Sequence, residues 1–205
     1  GKTPWRNFVL RVSPAVLIPR PETELLIEIA AQAVAGNAEL TEGNWADLGT
    51  GSGAIALGLA SVFPKALVHA VDCSAAALAI AQTNAQTYHL QDHIHFYQGS
   101  WLEPLSYLQG KLSGLVSNPP YIPRAMLAEL QPEVVNHEPH LALDGGLDGL
   151  DCIRHLIAIA PDYLQPDGIW LIEMMAGQAT IVADLLQQNG NYHDIQILAD
   201  LAGIE

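Results

Sequence analysis

The strongest constraint on the fold is an alternation of short apolar runs and helical stretches that begins at Trp45. The apolar runs predict strands at Trp45–Leu48, Ala66–Val71, Ile94–Tyr97, Leu115–Ser117, Gly168–Glu173 and His193–Leu198. Helices are predicted over Ala54–Val62, Ser74–Tyr88, Leu147–Leu164 and Gln178–Gln188. Strands separated by helices are typical of a parallel sheet covered on both faces, so the sequence predicts a doubly wound α/β fold.

Residues 1–36 show a different pattern, which predicts a β-hairpin and a linking helix ahead of the sheet. Apolar and polar residues alternate over Phe8–Ser13, Pro14 breaks the alternation, and Ala15–Ile18 has the pattern of a second short strand. Pro21 and the acidic residues after it favour a helix start, and this helix is predicted to run to about Ala35. Residues 37–205 are then expected to form the larger domain.

Composition and charge exclude several classes of protein. Lys and Arg number 8 against 22 Asp and Glu, so the formal net charge is −14, which disfavours direct binding to nucleic acid. Cys73 and Cys152 match no disulfide or metal spacing, which is typical of a reducing compartment. The longest apolar stretches fall far short of the ~20 residues that span a bilayer. We therefore expect a cytoplasmic protein without a membrane partner.

A glycine-rich segment follows the first strand of the sheet. It reads Asp47-Leu48-Gly49-Thr50-Gly51-Ser52-Gly53, and ligands of open α/β sheets bind beyond the carboxyl ends of strands. Glycines permit a positive φ and a close approach of ligand to backbone. The GxGxG spacing differs from the GxGxxG of dinucleotide sites, which argues against an NAD-dependent oxidoreductase. Asp47 suits a cationic or amino-bearing ligand, and the alternative is a tight strand-to-helix turn without a ligand.

Asp72 follows the second strand, 19 residues after Gly53. A carboxylate at this place can accept hydrogen bonds from both hydroxyls of a ribose, as in nucleotide-binding folds. The alternative is that Asp72 caps the next helix, a role for which Ser74 competes. With the glycine segment ahead of it, ribose binding is the favoured interpretation.

The sequence Asn118-Pro119-Pro120-Tyr121 follows the fourth strand. Two successive prolines remove two N–H donors and stiffen the chain, so the Asn118 side chain and the Pro119 carbonyl present acceptors in a fixed geometry. Tyr121 offers a flat face on which a planar group can stack. The alternative is a proline turn that merely ends a strand.

No metal site is predicted from the histidines and cysteines. His93 and His95 share one face of a strand, but no spacing supplies the third and fourth ligands that a metal needs. Cys73 lies at a helix start, where a lowered pKa is one alternative, but it is expected to be a small buried residue.

Taken together, these motifs resemble class I methyltransferases that use S-adenosylmethionine to methylate planar amino or amide nitrogens. Three further stretches narrow the resemblance: PAVLIPRPETE at Pro14–Glu24, Gly99-Ser100-Trp101, and the residues EP, AL and GGLDGL within Glu138–Leu150. Over essentially its whole length the chain is similar to the HemK/PrmC family, the glutamine methyltransferases of class I peptide chain release factors. The resemblance implies a Rossmann-like class I methyltransferase fold, a doubly wound sheet preceded by a β-hairpin.

The resemblance also implies a role for each motif. Asp47 and the Gly49, Thr50, Gly51, Ser52 and Gly53 loop would hold the methionine moiety and ribose of S-adenosylmethionine, Asp72 the ribose hydroxyls, and Trp101 would pack on the adenine. Asn118, Pro119, Pro120 and Tyr121 would grip the substrate glutamine amide. Asn118, Pro119 and Tyr121 would be catalytic, and Asn118 would also touch the cofactor. Arg20–Thr23 would close over the cofactor, and the product would be S-adenosylhomocysteine.

The chain departs from the family pattern at four places. Ser100 stands where many relatives have Asp, and Glu173–Gln178 differs from the commoner Glu-Ile-Gly, so the role of that loop is left open. Relatives carry a helical domain before the hairpin and a last antiparallel strand, and both are expected to be absent from this chain.

Alternative functions stay open at this point. A glutamine methyltransferase of a ribosomal protein would share most of these motifs. An adenine methyltransferase of DNA or RNA shares Asn-Pro-Pro-Tyr, but it would need a basic groove that the acidic sequence does not indicate. A cofactor-binding protein without catalysis would not need Asn118–Tyr121.

Overall fold

The computed structural model of the chain describes residues 1–131, 134, 138–200, 202 and 203. Its strands are β1 Lys2–Trp5, β2 Phe8–Arg11, β3 Asn44–Leu48, β4 Leu67–Asp72, β5 Ile94–Gln98, β6 Leu112–Ser117 and β7 Leu164–Ile172. Its α-helices are α1 Glu24–Ala33, α2 Ala38–Thr41, α3 Ala54–Val62, α4 Ala75–Thr87, α5 Asp151–Ile159 and α6 Ala179–Asn189. None of the helices in this described part of the chain combines the length and the hydrophobicity of a transmembrane span.

Five parallel strands form the central sheet in the order β5-β4-β3-β6-β7. The first strand of this sheet along the chain is β3, at its centre. β4 and β5 follow on one side of β3, and the chain then crosses back to form β6 and β7 on the other side. A crevice therefore opens between the carboxyl ends of β3 and β6, where the winding direction reverses and ligands of such sheets bind. The predicted doubly wound α/β fold is confirmed.

Two hydrophobic layers cover the faces of the sheet. On one face, α1, α3 and part of α4 pack with the hairpin against residues such as Trp45, Val68 and Val116. On the other face, the 3₁₀ segment Glu103–Leu108 and α5 pack against Leu48 and its neighbours. Because both faces are covered, β3 and β6 are buried at successive residues and not only at alternate ones.

The predicted N-terminal hairpin exists, but its strands differ from the predicted pair. β1 and β2 pair antiparallel, with Trp5 opposite Phe8. Ala15–Ile18 is not a strand, so that prediction was wrong. The Val16 N–H bonds the Ser13 carbonyl at 3.1 Å, and the Ala15 N–H bonds the Ser13 hydroxyl oxygen at 3.1 Å. These local bonds fold the residues around Pro14 into a turn.

Asn84 of α4 ties the hairpin to the sheet. Its side-chain oxygen accepts the Arg11 N–H at 2.8 Å, and its Nδ2 donates to the Arg11 carbonyl at 3.0 Å and to the Ser52 carbonyl at 2.8 Å. Asn84 is buried, so each of these polar groups needs its partner. The glycine-rich segment and β2 are thereby held by one side chain.

The other element predictions differ from the structure mainly in the last third of the chain. The helix predicted over Leu147–Leu164 begins only at Asp151, because Gly149 has a left-handed φ of +81° that no α-helix contains. His193–Leu198 is not a strand, so that prediction was also wrong; Ile197 and Leu198 are exposed there. An alternating sequence cannot show whether a neighbouring strand is present to pair with it.

Candidate functional site

Four strand ends meet at one edge of the sheet. In the observed register, the residues Gly49, Asp72, Asn118 and Glu173 lie in one row at or just beyond the carboxyl ends of β3, β4, β6 and β7. The predicted site residues Asp47–Gly53, Asp72 and Asn118–Tyr121 are therefore brought together around the crevice.

The glycine-rich segment makes a sharp turn from β3 into α3. Gly49, Gly51 and Gly53 have φ values of +77°, +54° and +83°, which L side chains rarely adopt. A Cβ on Gly53 would also lie 3.0 Å from the Ala81 side chain, so glycine is needed there for packing. On Gly49 and Gly51 a Cβ would meet nothing closer than 3.9 Å, which leaves the outer side of the loop open to a ligand.

Asp47 organises this loop from inside. Its Oδ2 accepts hydrogen bonds from the Thr50 hydroxyl at 2.6 Å and from the Ala56 N–H at 3.0 Å. Its Oδ1 is buried and has no hydrogen-bond partner within the described part of the chain. Burial raises the pKa of Asp47 to about 7, against the effect of those two hydrogen bonds. The carboxylate is fully buried. Its hydrogen bonds therefore hold the loop in shape, and it does not form part of the outer surface of the loop.

Asp72 links the glycine loop to the next helix. Its Oδ2 accepts the Gly51 N–H at 2.9 Å, and its Oδ1 accepts the Ser74 N–H at 2.8 Å. The helix cap is Ser74, whose hydroxyl oxygen accepts the Ala77 N–H, so Asp72 is not the cap of α4. The carboxylate is half-buried, so hydroxyls of a ligand can reach it and donate hydrogen bonds to it.

Trp101 lies beside the same loop. The Gly99 N–H bonds the Asp72 carbonyl at 3.1 Å, which places the segment Gly99–Trp101 next to the end of β4. The Trp101 ring comes within 4.0 Å of the Cβ position of Gly49. Trp101 has a φ of +48°, an uncommon conformation for a bulky residue and one that concentrates at functional sites.

Asn118–Tyr121 forms the opposite side of the crevice. Asn118 Nδ2 donates to the Thr23 hydroxyl oxygen at 3.3 Å, and Tyr121 OH donates to Glu173 Oε1 at 3.2 Å. The Thr23 hydroxyl in turn donates to Glu173 Oε2 at 2.7 Å. Burial raises the pKa of Glu173, and burial together with this carboxylate raises the pKa of Tyr121.

The segment Gly145–Gly149 packs behind Asn118–Tyr121, which we call the site loop. The Gly145 N–H bonds the Ile122 carbonyl at 2.9 Å, and Gln178 Nε2 bonds the Tyr121 carbonyl at 3.0 Å. A Cβ on Gly149 would lie only 2.3 Å from the Tyr121 carbonyl oxygen. Gly145 and Gly149 are therefore required because their backbone packs directly against the backbone of Tyr121.

Arg20 connects the PAVLIPRPETE segment to the chain that follows the site loop. Its Nη2 donates to both carboxylate oxygens of Glu138, at 2.8 and 2.9 Å, and Glu138 is buried. Its carbonyl accepts the Trp5 indole N–H at 3.0 Å. Arg20 is therefore engaged by protein groups at both ends, and Thr23 is the residue of this segment that touches Asn118.

Glu173 received no specific role from the sequence, and Thr23 was predicted only as part of the Arg20–Thr23 segment that would close over the cofactor. Glu173 was left open, although it follows the strand next to β6 and obeys the same strand-end rule as Asn118. Thr23 is sequence-distant, and no local pattern indicates its contact with Glu173. Cys73 was expected to be buried but is exposed. Among the described residues, no group of three or more His, Cys, Asp or Glu is arranged to hold a metal ion.

Comparison with known proteins is consistent with this geometry. The family model described as "Methyltransferase small domain" matches residues 22–148. The chain is 59% identical to the release factor glutamine methyltransferase of Synechocystis sp., over 100% of this chain and 69% of that protein. It is 53% identical to the release factor glutamine methyltransferase of Thermosynechococcus vestitus, over 99% of this chain and 69% of that protein.

Solved structures show the same fold at low sequence identity. The hMettl16 catalytic domain in complex with a MAT2A 3′UTR hairpin aligns with a TM-score of 0.70 at 15% identity, over 93% of this chain and 78% of that chain. The ribosomal protein L11 methylase of Lactobacillus delbrueckii subsp. bulgaricus aligns with a TM-score of 0.64 at 19% identity, over 93% of this chain and 79% of that chain. At these identities the likeness concerns the fold alone.

Proposed function

We propose that this chain, which belongs to the family of release factor glutamine methyltransferases, methylates the side-chain amide nitrogen of a glutamine in class I peptide chain release factors. The glutamine is that of the Gly-Gly-Gln motif, the methyl donor is S-adenosylmethionine and the product is S-adenosylhomocysteine. The observation that carries the proposal is the placement of Asn118–Tyr121 across the crevice from the glycine loop, in a chain 59% identical to such a methyltransferase.

The residues on the β3 and β4 side of the crevice fit S-adenosylmethionine. The glycine loop is open on its outer side, so a ligand can lie directly against its backbone. Asp72 would accept hydrogen bonds from the ribose hydroxyls, and Trp101 would stack on the adenine. When bound, S-adenosylmethionine supplies a methyl group on a positively charged sulfur. Asp72 and Glu173, the carboxylates at this edge of the sheet, suit a cation better than they suit a pyrophosphate.

Asn118 and Pro119 would bind and orient the glutamine amide. An amide nitrogen is a poor nucleophile because its lone pair is delocalised, as the ~18–20 kcal/mol rotation barrier of a peptide bond indicates. As this nitrogen gains positive charge in the transition state, its N–H groups become stronger donors. Acceptors fixed on them, the Asn118 side-chain oxygen and the Pro119 carbonyl, therefore bind the transition state more tightly than the ground state.

The rigidity of the loop adds an effect of orientation. Pro119 and Pro120 restrict the backbone, and Tyr121 is anchored by its hydroxyl on Glu173 and by its carbonyl on Gln178. An amide held at a fixed angle needs less entropy loss to react. Proton loss from the methylated nitrogen needs no dedicated base, since a protonated amide is a strong acid that water can deprotonate.

The experiment that tests the substrate class compares three kinds of acceptor. This chain is incubated with S-adenosylmethionine and, separately, a release factor, a ribosomal protein mixture and adenine-containing RNA and DNA. We expect one added methyl group on the release factor alone, located by tandem mass spectrometry. Methylation of a ribosomal protein or of adenine, with none on the release factor, would replace the proposal by that alternative.

A further inference from the structure

A single carboxylate receives three side-chain hydrogen bonds at the end of β7. Glu173 accepts from the hydroxyls of Thr23 and Tyr121, at 2.7 and 3.2 Å, and the Asn118 side chain also hydrogen-bonds to it. Thr23 is 3% exposed, so its hydroxyl is shielded from water. The cluster joins the chain ahead of α1, the site loop and the end of β7 at one point.

The directions of these hydrogen bonds are fixed by the carboxylate. An ionised carboxylate only accepts, so the Thr23 hydroxyl proton must point to Glu173. The Thr23 oxygen is then left as an acceptor, and it receives Asn118 Nδ2 at 3.3 Å. Asn118 therefore meets acceptors on both Thr23 and Glu173, and only the amino end of its carboxamide can satisfy them.

The two ends of a carboxamide have nearly the same shape but opposite hydrogen-bonding roles. With Nδ2 turned to Thr23 and Glu173, Oδ1 of Asn118 points away from them. That oxygen is the end that can accept from the N–H of a substrate amide. A reversed Asn118 carboxamide would turn its own N–H groups toward the N–H of the substrate amide, and the hydrogen bond to the substrate would be lost.

We infer that Glu173 is a positioning residue, which through Thr23 fixes the orientation of the Asn118 carboxamide so that its oxygen faces the reacting amide. This inference rests on the proposed function and assigns a further residue to the same site. Burial raises the pKa of Glu173, and the hydrogen bonds from Thr23, Tyr121 and Asn118 act against that rise. Glu173 affects the reaction only through Asn118, by way of Thr23.

The first test is Glu173→Gln in this chain. A glutamine has the same shape but adds N–H donors, so the Thr23 hydroxyl and the Asn118 carboxamide are free to reverse. We expect kcat for release-factor methylation to fall tenfold or more, while the dissociation constant for S-adenosylmethionine stays within twofold. The matched control is Glu42→Gln, which removes an exposed carboxylate paired with Lys65 and should leave kcat within twofold.

A second pair of variants keeps the test valid if Glu173→Gln does not fold. Thr23→Val removes the hydroxyl that donates to Glu173 and accepts from Asn118, and Thr23→Ser retains it. We expect Thr23→Val to lower kcat tenfold or more and Thr23→Ser to recover most of it. Equal kcat in the two variants would overturn the inference, because the Thr23 hydroxyl would then not be needed to orient the Asn118 carboxamide.

An Asn118→Ala background separates positioning from direct participation. Because Glu173 acts through Asn118, Glu173→Gln should change the residual single-turnover rate of Asn118→Ala by less than twofold. A further tenfold loss there would overturn the inference in favour of a direct role for the carboxylate. Wild-type chain that methylates no release factor would defeat the proposed function and this inference with it. Wild-type activity with an unchanged Glu173→Gln rate defeats the inference alone.

Discussion

Replacing Gly149 by alanine tests whether the Gly145–Gly149 segment sets the position of the site loop, Asn118–Tyr121. Gly149 has a φ of +81°, and a Cβ would lie 2.3 Å from the Tyr121 carbonyl oxygen and 2.8 Å from Gln178 Nε2. Ordinary contact begins at 3.4 Å, so one of the two backbones must move by about 1 Å. A misplacement of about 1 Å in a catalytic site can cost on the order of 100-fold in rate.

Gly36→Ala provides the matched control. Gly36 has a φ of +83°, almost the same as Gly149, but a Cβ there would have no atom within 4 Å. The left-handed conformation costs an L residue roughly 1–2 kcal/mol, and we expect Gly36→Ala to lower the free energy of unfolding by that amount. Overpacking adds roughly 1–3 kcal/mol, so Gly149→Ala should be destabilised by roughly 2–5 kcal/mol.

The assay combines denaturant unfolding with methyl-transfer kinetics. Gly149→Ala should lower kcat about 100-fold with little change in the affinity for S-adenosylmethionine, since the glycine loop is not displaced. Gly36→Ala should retain wild-type kcat. Equal destabilisation of the two variants, or a folded Gly149→Ala with wild-type kcat, would refute the role given to this segment.

Three further predictions concern single polar side chains of the site. Asn118→Ala should lower turnover by two orders of magnitude or more, ~2.7 kcal/mol, with nearly unchanged cofactor affinity in calorimetry; normal turnover would contradict its role. Asp72→Ala should raise the dissociation constant for S-adenosylmethionine, and an unchanged value would argue against ribose binding. Since burial raises the pKa of Asp47 to about 7, its folded form binds a proton more readily than the unfolded form between about pH 4 and pH 7. Its contribution to the free energy of unfolding therefore falls as pH rises through that window, by up to about 1.4 kcal/mol per unit, and Asp47→Asn should remove this slope in unfolding measured from pH 4 to 8.

The sequence was most informative where a local pattern alone decides the structure. The helix predicted over Ala54–Val62 agrees with α3 at both ends, because the glycine turn ahead of it and Pro64 after it limit the segment. The positions of Asp72 and Asn118 at one sheet edge followed from the parallel topology. The hairpin was predicted, but its partner strand lies at Lys2–Trp5, since pairing depends on contacts that no local pattern contains.

Contacts between distant segments were not predictable from the sequence. Thr23 and Glu173 are 150 residues apart, and their hydrogen bond depends on α1 packing near β7. The fully buried state of Asp47 follows from helix packing over β3, so the sequence could only place it before the glycines. The glycines at 145–149 were recognised as a motif, but their reason is a close approach to Tyr121 that only the structure reveals.

The most direct test of the proposed reaction uses labelled S-adenosylmethionine and two forms of one release factor. One form has the natural Gly-Gly-Gln sequence, and in the other its glutamine is replaced by alanine. We predict that this chain labels the first form and leaves the second unlabelled, which would identify both the substrate and the methylated residue. Equal labelling of both forms would contradict the proposal, and so would cofactor binding with no label on either form.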